Sequence, residues 1–444
     1  MAASTRSSTG RETGGGVDVS VDYPRRVAMI SLHTSPLAVP GVGDAGGLNV
    51  YVAEVARRLG ERGLQVDVFT RDDGSAPAEV VEVTDNLRVV HVPAGPRGPV
   101  AKEDLPDLVP EFADRLEARG SAYDLVHSHY WLSGMVGLAL RRRHGLPLVH
   151  TMHTMARVKN VSRPAAGPTE PDLRGLGETQ IVSGAEVLTA NTTDEAADLV
   201  RAYGARPDKI AVVPPGVDLH TFHPCDQQQS RELLGVDPEA QVVLFVGRIQ
   251  PLKAPDVLIR AVARLVEREP RRREHLRLIV IGSASGPDAG WSGTLAPLAA
   301  GLGVADLVEL RPAAERSELF RYYCVSDVVG VPSYSESFGL VALEAQACGR
   351  PVVATDAGGL RHAVHDGHTG RLVDGHDTDA WADALAELLD HPAERARLGA
   401  NAAAHASRFS WSTTAAATLE AYGDALKAAR RQAFMTGAWF ERGR

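Results

Sequence analysis

The chain is 444 residues long, 44% hydrophobic and 23% charged, with a formal net charge of −9. That length predicts two domains of about 200 residues each, and the composition is that of a soluble globular protein. The acidic balance excludes nucleic acid and an anionic membrane as main partners, and no apolar run reaches the roughly 18 residues of a membrane helix.

Residues 1–24 are polar and rich in Gly, Ser and Thr, without a signal peptide's apolar core; they read as a disordered tail on a cytoplasmic protein. Cys225, Cys324 and Cys348 are scattered without metal-ligand spacing, so no disulfide framework is expected, as suits a reducing cytosol. Lysine is scarce: only Lys102, Lys159, Lys209, Lys253 and Lys427 occur, and arginine supplies the other basic residues. A lysine in this chain is therefore less apt to be filler.

Short β-branched runs then alternate with amphipathic helical stretches. Strands are expected at 26–32, 65–70, 87–92, 124–129, 146–151, 186–190 and 209–214. A second set follows at 241–247, 276–282, 307–312, 328–332, 351–355 and 370–373. Near-continuous apolar strands separated by helices imply parallel sheets buried on both faces. The predicted class is α/β, with two Rossmann-like doubly wound domains facing across a cleft. The stretch "PPGVDLHTFHPCDQ" (214–227) breaks the pattern and reads as the hinge. The expected domains are 25–217 and 218–414, with a C-terminal helix over 415–444 returning to complete the first.

Ligands collect at the carboxyl edges of parallel strands, so the motifs were sought there. "PGVGDAGGLNVYVAEVARRL" (40–59) contains Gly41, Gly43 and Gly46 in dinucleotide-fingerprint spacing. The fit is poor. The strand ends near Leu32, well before the first glycine, and no acidic residue closes the second strand at the right distance. Gly46 and Gly47 directly before a helix instead suit a diphosphate held by backbone amides. A cofactor loop and a plain surface loop remain the alternatives.

"VGRIQPLKAPDVLIRA" sets Arg248 and Lys253 in the loop after the second domain's first strand, where a guanidinium fork and a point charge suit a diphosphate. "PSYSESFGLVALEAQACGRPVVAT" carries Glu336 in a strand-to-helix turn and Glu344 in the helix that follows. Helical side chains lean toward the N-terminus, so Glu344 points back to the edge where Glu336 sits. Free amides around Phe338–Leu340 lie between them. A nucleotide-sugar matches that order of carboxylate, amides and carboxylate: sugar hydroxyls, diphosphate, ribose hydroxyls. Glu344 as an ordinary helix glutamate is the alternative.

Glu336 and Glu344, with Arg248 and Lys253, resemble the E-x7-E signature and diphosphate pair of the retaining GT-B glycosyltransferases. "HTSPLAVPGVGDAGGLNVYV", "VHSHYWLSG", "HTMHTMARVKN" and "VGRIQPLKAPDVL" are similar to the branch of that family that glycosylates inositol phosphate in actinobacterial mycothiol biosynthesis. The resemblance spans about residues 25–425. It implies transfer of N-acetylglucosamine from UDP-GlcNAc to 1D-myo-inositol 3-phosphate with retention. It carries donor contacts onto Val39, Pro40, Gly47, Arg248, Lys253, Glu336 and Glu344. Acceptor contacts fall on His33, Asp44, Ala45, Gly46, Gly47, Leu48, Asn49, Lys102, Tyr130, Thr154 and Arg174. His153 resembles the histidine that meets the donor sugar, and the catalytic set is His153, Glu336, Arg248 and Lys253.

Two positions depart from the family. Val39 stands where Gln is usual, and Arg350 stands where Thr is expected, in a segment that accompanies a bound magnesium in the family. A structural magnesium is what the resemblance alone would imply, and Arg350 argues against it. No metal is expected in catalysis, because the chain offers no Asp-x-Asp in a suitable loop and in this fold amides, Arg and Lys neutralise the leaving UDP. With no side chain suited as a nucleophile on the far face of the sugar, a front-face reaction is expected. The alternatives are a sucrose-phosphate-synthase-like transferase, a Rossmann oxidoreductase and a two-domain sugar-binding protein. A homodimer is compatible with the sequence, which does not reveal oligomeric state, domain closure or kinetic order.

Overall fold

The computed structural model describes residues 23–41, 45–120, 122–162, 169–284 and 286–435. Residues 1–22 of the expected tail, Asp44 of the glycine loop and 436–444 of the expected C-terminal helix lie outside the described residues.

Two sheets form, one from each half of the strand pattern. The first contains β1 (Arg26–Ile30), β2 (Gln65–Arg71), β3 (Val80–Thr84), β4 (Leu87–Val92), β5 (Leu125–His129), β6 (Leu148–Thr151), β7 (Val187–Ala190) and β8 (Ile210–Val212). Its order is β3-β4-β2-β1-β5-β6-β7-β8, parallel throughout except for β3 against β4. The second contains β9 (Gln241–Val246), β10 (Leu276–Ile281), β11 (Val308–Arg311), β12 (Val328–Val331), β13 (Val352–Thr355) and β14 (Gly370–Val373). Its order is β11-β10-β9-β12-β13-β14, all parallel.

The edge strand β3 is absent from the expected set. Its residues alternate Val with Glu and Thr and stay largely exposed, so it lacks the continuous apolar run that marks the others.

Alternation along β1 shows how the sheet is buried. Val27 and Met29 pack with Tyr51, Val52 and Val55 of the Gly47–Glu61 helix, whereas Ala28 and Ile30 pack with Trp131, Leu132 and Phe112. The Trp411–Met435 helix returns to the first sheet, placing Trp411, Ala415, Tyr422 and Ala425 beside Val27 and Met29. That arrangement makes the chain cross between the sheets twice. The crossings run side by side at Val217 and Ser410, where Val217 N–H donates to the Phe409 carbonyl at 3.0 Å. Gly216 permits the approach, since a β-carbon there would lie 2.2 Å from Trp411 N.

The cysteines correct the expectation of unlinked thiols. Cys225, just past the crossing, and Cys324, on the Arg316–Val325 helix, form a disulfide across 99 residues of sequence, Cα atoms 5.9 Å apart. The strand order juxtaposes segments that cysteine spacing gave no reason to pair. Cys348 is buried and free. Among the described residues, no helix is long and apolar enough to cross a membrane.

Alkylation in denaturant without reductant should therefore label one cysteine, Cys348, and labelling after reduction should reach all three. Three labels without reductant, read by intact mass, would restore the sequence expectation.

Candidate active site

In an open α/β sheet the ligand crevice lies where strand order reverses. In the first sheet that point falls between β1 and β5, and in the second between β9 and β12. The loops after these four strands carry His33, Tyr130, Arg248 with Lys253, and Glu336. All five residues line one cleft of about 1520 Å³ between the sheets.

On the second-domain wall, Lys253 ends a short 3-10 turn, Pro251–Lys253, and forms an ion pair with Glu336. Ser333 Oγ also donates to Glu336 Oε1 at 3.2 Å. The glycine pair Gly358–Gly359 lies against the Glu336 turn, with Gly359 N–H donating to the Glu336 carbonyl at 2.8 Å. A β-carbon on Gly358 would fall 2.5 Å from that carbonyl.

Glu344 lies in the Leu340–Ala347 helix and accepts from Tyr323 Oη at 2.8 Å, with Arg316 Nη2 3.9 Å away. Burial pushes its carboxyl above the usual range, and Arg316 and Tyr323 oppose that shift. Tyr323 and Arg316 escaped the sequence reading; nothing in "AAERSELFRYYC" marks them as partners of a residue twenty or more positions on.

The glycine loop faces this wall. A β-carbon on Gly46 would lie 3.5 Å from Arg248 Nε, and one on Gly47 would lie 3.4 Å from Leu340 Cδ1. The N-termini of the Gly47–Glu61 and Leu340–Ala347 helices thus meet beside Arg248. Each presents amide N–H groups that have no acceptor within its helix, which is the geometry of an anion site.

Pro40, Gly46, Gly47 and Leu48 line the cleft. Val39 is 50% exposed and, like Ala45, is not among the lining residues. Ala45 instead closes the loop, its carbonyl accepting from Gly41 N–H at 2.9 Å. Asn49 is buried and also turned away from the cleft. Its amide donates to Thr34 Oγ1 and the Ser35 carbonyl, both at 2.6 Å, and accepts from Gly46 N–H at 2.9 Å. It fastens the loop, where the sequence suggests a direct acceptor contact.

Opposite lies an aromatic platform. Tyr130 carries Lys102 Nζ 5.3 Å and Arg174 Cζ 4.8 Å from its ring centroid, and His33 tilts against it at 4.5 Å. Tyr130 itself sits at φ 71, a left-handed conformation costly for a non-glycine residue and characteristic of functional sites. Burial holds the His33 imidazole well below its usual pKa, and Lys102, His153, Arg174 and Arg248 lower it further. A locally cationic pocket therefore exists in an acidic protein.

Arg174 is only 2% exposed and is engaged at once with two carboxylates. Nε donates to Glu178 and Nη1 to Glu170, each at 2.7 Å. Nη2 donates to the Thr154 carbonyl and hydroxyl at 2.9 and 2.8 Å. One of its five N–H donors remains for a ligand. Burial pushes the Glu170 carboxyl up, but Arg174 and Lys159 outweigh it and hold the group at about 2. Glu170, Glu178 and Lys159 are further site residues that no local pattern revealed.

His153 lies at φ 59, its Nε2 2.9 Å from His129 Nδ1, and its carbonyl accepts from Ser337 of the other domain. Tyr51 meets its ring edge-on at 5.1 Å. Burial lowers its pKa to about 3, so it is a neutral hydrogen-bonding group near pH 7 rather than a proton shuttle.

Position 350 does not fit a divalent cation. Burial, with Arg231 and Arg395 nearby, lowers the pKa of the Arg350 guanidinium, and Asp327 and Cys348 oppose that shift. Among the described residues, no group of three or more His, Cys, Asp or Glu is placed to hold a metal.

Residues 46–216 match the glycosyl transferase 4-like domain, and residues 226–405 match the glycosyl transferases group 1 family. The chain is 50% identical over 409 residues to D-inositol 3-phosphate glycosyltransferase 2 of Catenulispora acidiphila, covering 91% of this chain and 96% of that one. It is 53% identical over 410 residues to the D-inositol 3-phosphate glycosyltransferase of Kribbella flavida, with the same coverage. Among solved structures, a sucrose-phosphate synthase from Thermosynechococcus elongatus superposes with a TM-score of 0.82 at 30% identity, covering 93% of this chain and all of that one.

The buried histidines make stability depend on pH. His33, His127 and His129 are held well below 6.5 and His150 and His153 at about 3, in each case mainly by burial. The unfolded chain takes up these protons first, so this stabilisation is complete above pH 6.5 and is lost as pH falls toward 3. Each histidine contributes a slope of about 1.4 kcal/mol per pH unit within that window. The urea midpoint should drop steeply from pH 6.5 to 5; a flat midpoint would mean the imidazoles are not buried as described.

Proposed function

The chain belongs to the D-inositol 3-phosphate glycosyltransferase family within the group 1 glycosyltransferases, and from that premise we propose that it transfers N-acetylglucosamine from UDP-GlcNAc to 1D-myo-inositol 3-phosphate, releasing UDP with retention at the anomeric carbon. In this reading it carries out the first step of mycothiol biosynthesis. The observation that carries the reading is the pairing of two cation sites across one cleft: Arg248 with Lys253 on the wall that bears Glu336 and Glu344, and Lys102 with Arg174 over Tyr130 on the other.

The UDP diphosphate takes the amides of the two helix N-termini together with Arg248 and Lys253. Lys253 exchanges its internal partner Glu336 for phosphate, and Glu336 then accepts from sugar hydroxyls. Glu344 accepts from the ribose. His153, neutral, hydrogen-bonds the sugar near the reacting carbon. The acceptor phosphate sits over Tyr130 on Lys102, the Thr154 hydroxyl and the remaining donor of Arg174.

In the front-face step the acceptor oxygen bonds to the anomeric carbon as the bond from that carbon to the β-phosphate oxygen breaks. The acceptor's proton passes to the departing β-phosphate. Charge on the leaving UDP is stabilised by Arg248, Lys253 and the amides, preorganised in a partly dehydrated cleft.

A second reading is favoured by the likeness to sucrose-phosphate synthase: transfer to another phosphorylated sugar. Mass-spectrometric detection of the GlcNAc–inositol phosphate product decides between them. Turnover of fructose 6-phosphate without turnover of inositol 3-phosphate would select the second.

Glu344→Ala should weaken UDP and UDP-GlcNAc alike, because both carry the ribose. Glu336→Ala should spare UDP and impair UDP-GlcNAc binding and turnover, each lost charged hydrogen bond costing about 1.5–3 kcal/mol. Equal losses of UDP affinity in calorimetric titrations would refute this division.

Free myo-inositol should be a poor acceptor, and Lys102→Ala should raise the KM for inositol 3-phosphate by about 10- to 150-fold with UDP affinity unchanged. Lys102 is the informative substitution, since truncating Arg174 would strand the buried Glu178 carboxylate and cost stability. Equal turnover of inositol and its phosphate would sink the acceptor assignment.

A further inference from the structure

The cleft is bridged by few charges. Between described residues, two ion pairs join the walls: His362 with Asp194, which requires a protonated imidazole, and Arg316 with Glu54, which does not. Arg316 opens the Arg316–Val325 helix of the second domain, and Glu54 lies on the Gly47–Glu61 helix that follows the glycine loop. Arg316 Nη1 is 3.5 Å from Glu54 Oε1, while Nη2 is 3.9 Å from Glu344 Oε1. Glu54 uses its other oxygen on Arg57 at 2.7 Å.

The guanidinium also lies over Phe222, 5.4 Å from its centroid, in the segment that crosses between the sheets. Its Nε is buried without a partner. The other end of the same helix is fixed to that crossing segment through Cys324 and Cys225. Arg316 therefore touches the donor-side carboxylate, the opposite domain and the interdomain crossing at once.

We propose that Arg316 is a positioning residue that couples nucleotide binding to closure of the two domains, with one arm holding Glu344 ready for the ribose and the other drawing Glu54 across the cleft. The proposal rests on Glu344 being the ribose-binding carboxylate. Both contacts are longer than hydrogen bonds, so they act as charge attraction in a partly buried setting and survive small changes of cleft width. Glu54 does not line the cleft, and any influence it has on the nucleotide must pass through Arg316. Linkage then makes the effect reciprocal: if the Glu54 contact favours the closed arrangement and UDP binds that arrangement, Glu54 strengthens UDP binding from the far wall.

The test is a double-mutant cycle on UDP affinity, measured by calorimetry without acceptor, with thermal melts to establish folding. Arg316→Gln should weaken UDP about five- to tenfold and Glu54→Gln about three- to fivefold, in the range of ordinary coupling free energies. The double variant should be no weaker than Arg316→Gln alone, because Glu54 acts through it. Should Arg316→Gln fail to fold, Arg316→Met replaces it, and Glu54→Gln alone still decides. Small-angle scattering should record a UDP-induced contraction in the natural protein and a smaller one in Glu54→Gln.

Wild-type UDP affinity in Glu54→Gln, or effects that multiply in the double variant, would overturn the coupling. Glu344→Ala separates this failure from failure of the donor assignment. If Glu344→Ala weakens UDP while Glu54→Gln does not, only the coupling falls. If Glu344→Ala leaves UDP affinity intact, the donor assignment itself falls.

Discussion

Cations gathered in the cleft of an acidic protein are the constraint on which the rest of the structure depends. Arg248, Lys253, Lys102 and Arg174 converge where the two sheets' switch points face each other. Such a cluster is costly unless anions answer it. The chain supplies internal answers, with Glu336 on Lys253 and Glu170 and Glu178 on Arg174. Two of these carboxylates, Glu336 and Glu170, border the cleft. Glu178 is fully buried, held by Tyr203 Oη and the Ala156 amide, and stays. The cations of the site are thus balanced by internal carboxylates, and under the proposed function Lys253 exchanges its partner Glu336 for phosphate.

The architecture serves that exchange. Each wall is built on a parallel sheet covered on both faces, the exposed antiparallel edge strand β3 apart, which fixes the loops at its carboxyl edge. Both crossings of the chain lie together at Val217 and Ser410. Non-glycine residues adopt positive φ on both walls, Tyr130 and His153 on the first and Ala254, next to Lys253, on the second. Tyr130 and His153 are therefore held by surrounding packing, with buried His129 and Tyr51 behind His153.

Much of this was legible in the sequence, because its signals are local. Apolar runs such as "QVVLFV" and "RVAMI" announce buried parallel strands, and two Rossmann-like α/β domains followed from their alternation with helices; the GT-B assignment came from the resemblance carried by Glu336, Glu344, Arg248 and Lys253. Arg248, Lys253 and Glu336 stood out because each lies in the loop or turn that follows a strand, and Glu344 because a helical side chain leans back toward the same edge. What escaped depends on distance in sequence. Cys225 and Cys324 are joined only by the second sheet's strand order, and Arg316 becomes a partner of Glu54 only when two domains meet. Asn49 entered as an acceptor contact through the family resemblance; Thr34 and Ser35 claim its amide, and sequence carries no sign of that competition. The edge strand β3 escaped for the opposite reason: its signal is local but weak.

The account's central claim is that paired cations take the acceptor phosphate as a dianion, and phosphorus NMR tests it directly. A free phosphomonoester gains its second proton near pH 6. With inositol 3-phosphate bound to the protein and UDP, the phosphorus shift should stay constant from pH 7.5 to 5.5, because Lys102 and Arg174 stabilise the dianion. A bound phosphate that titrates like the free one would contradict the account.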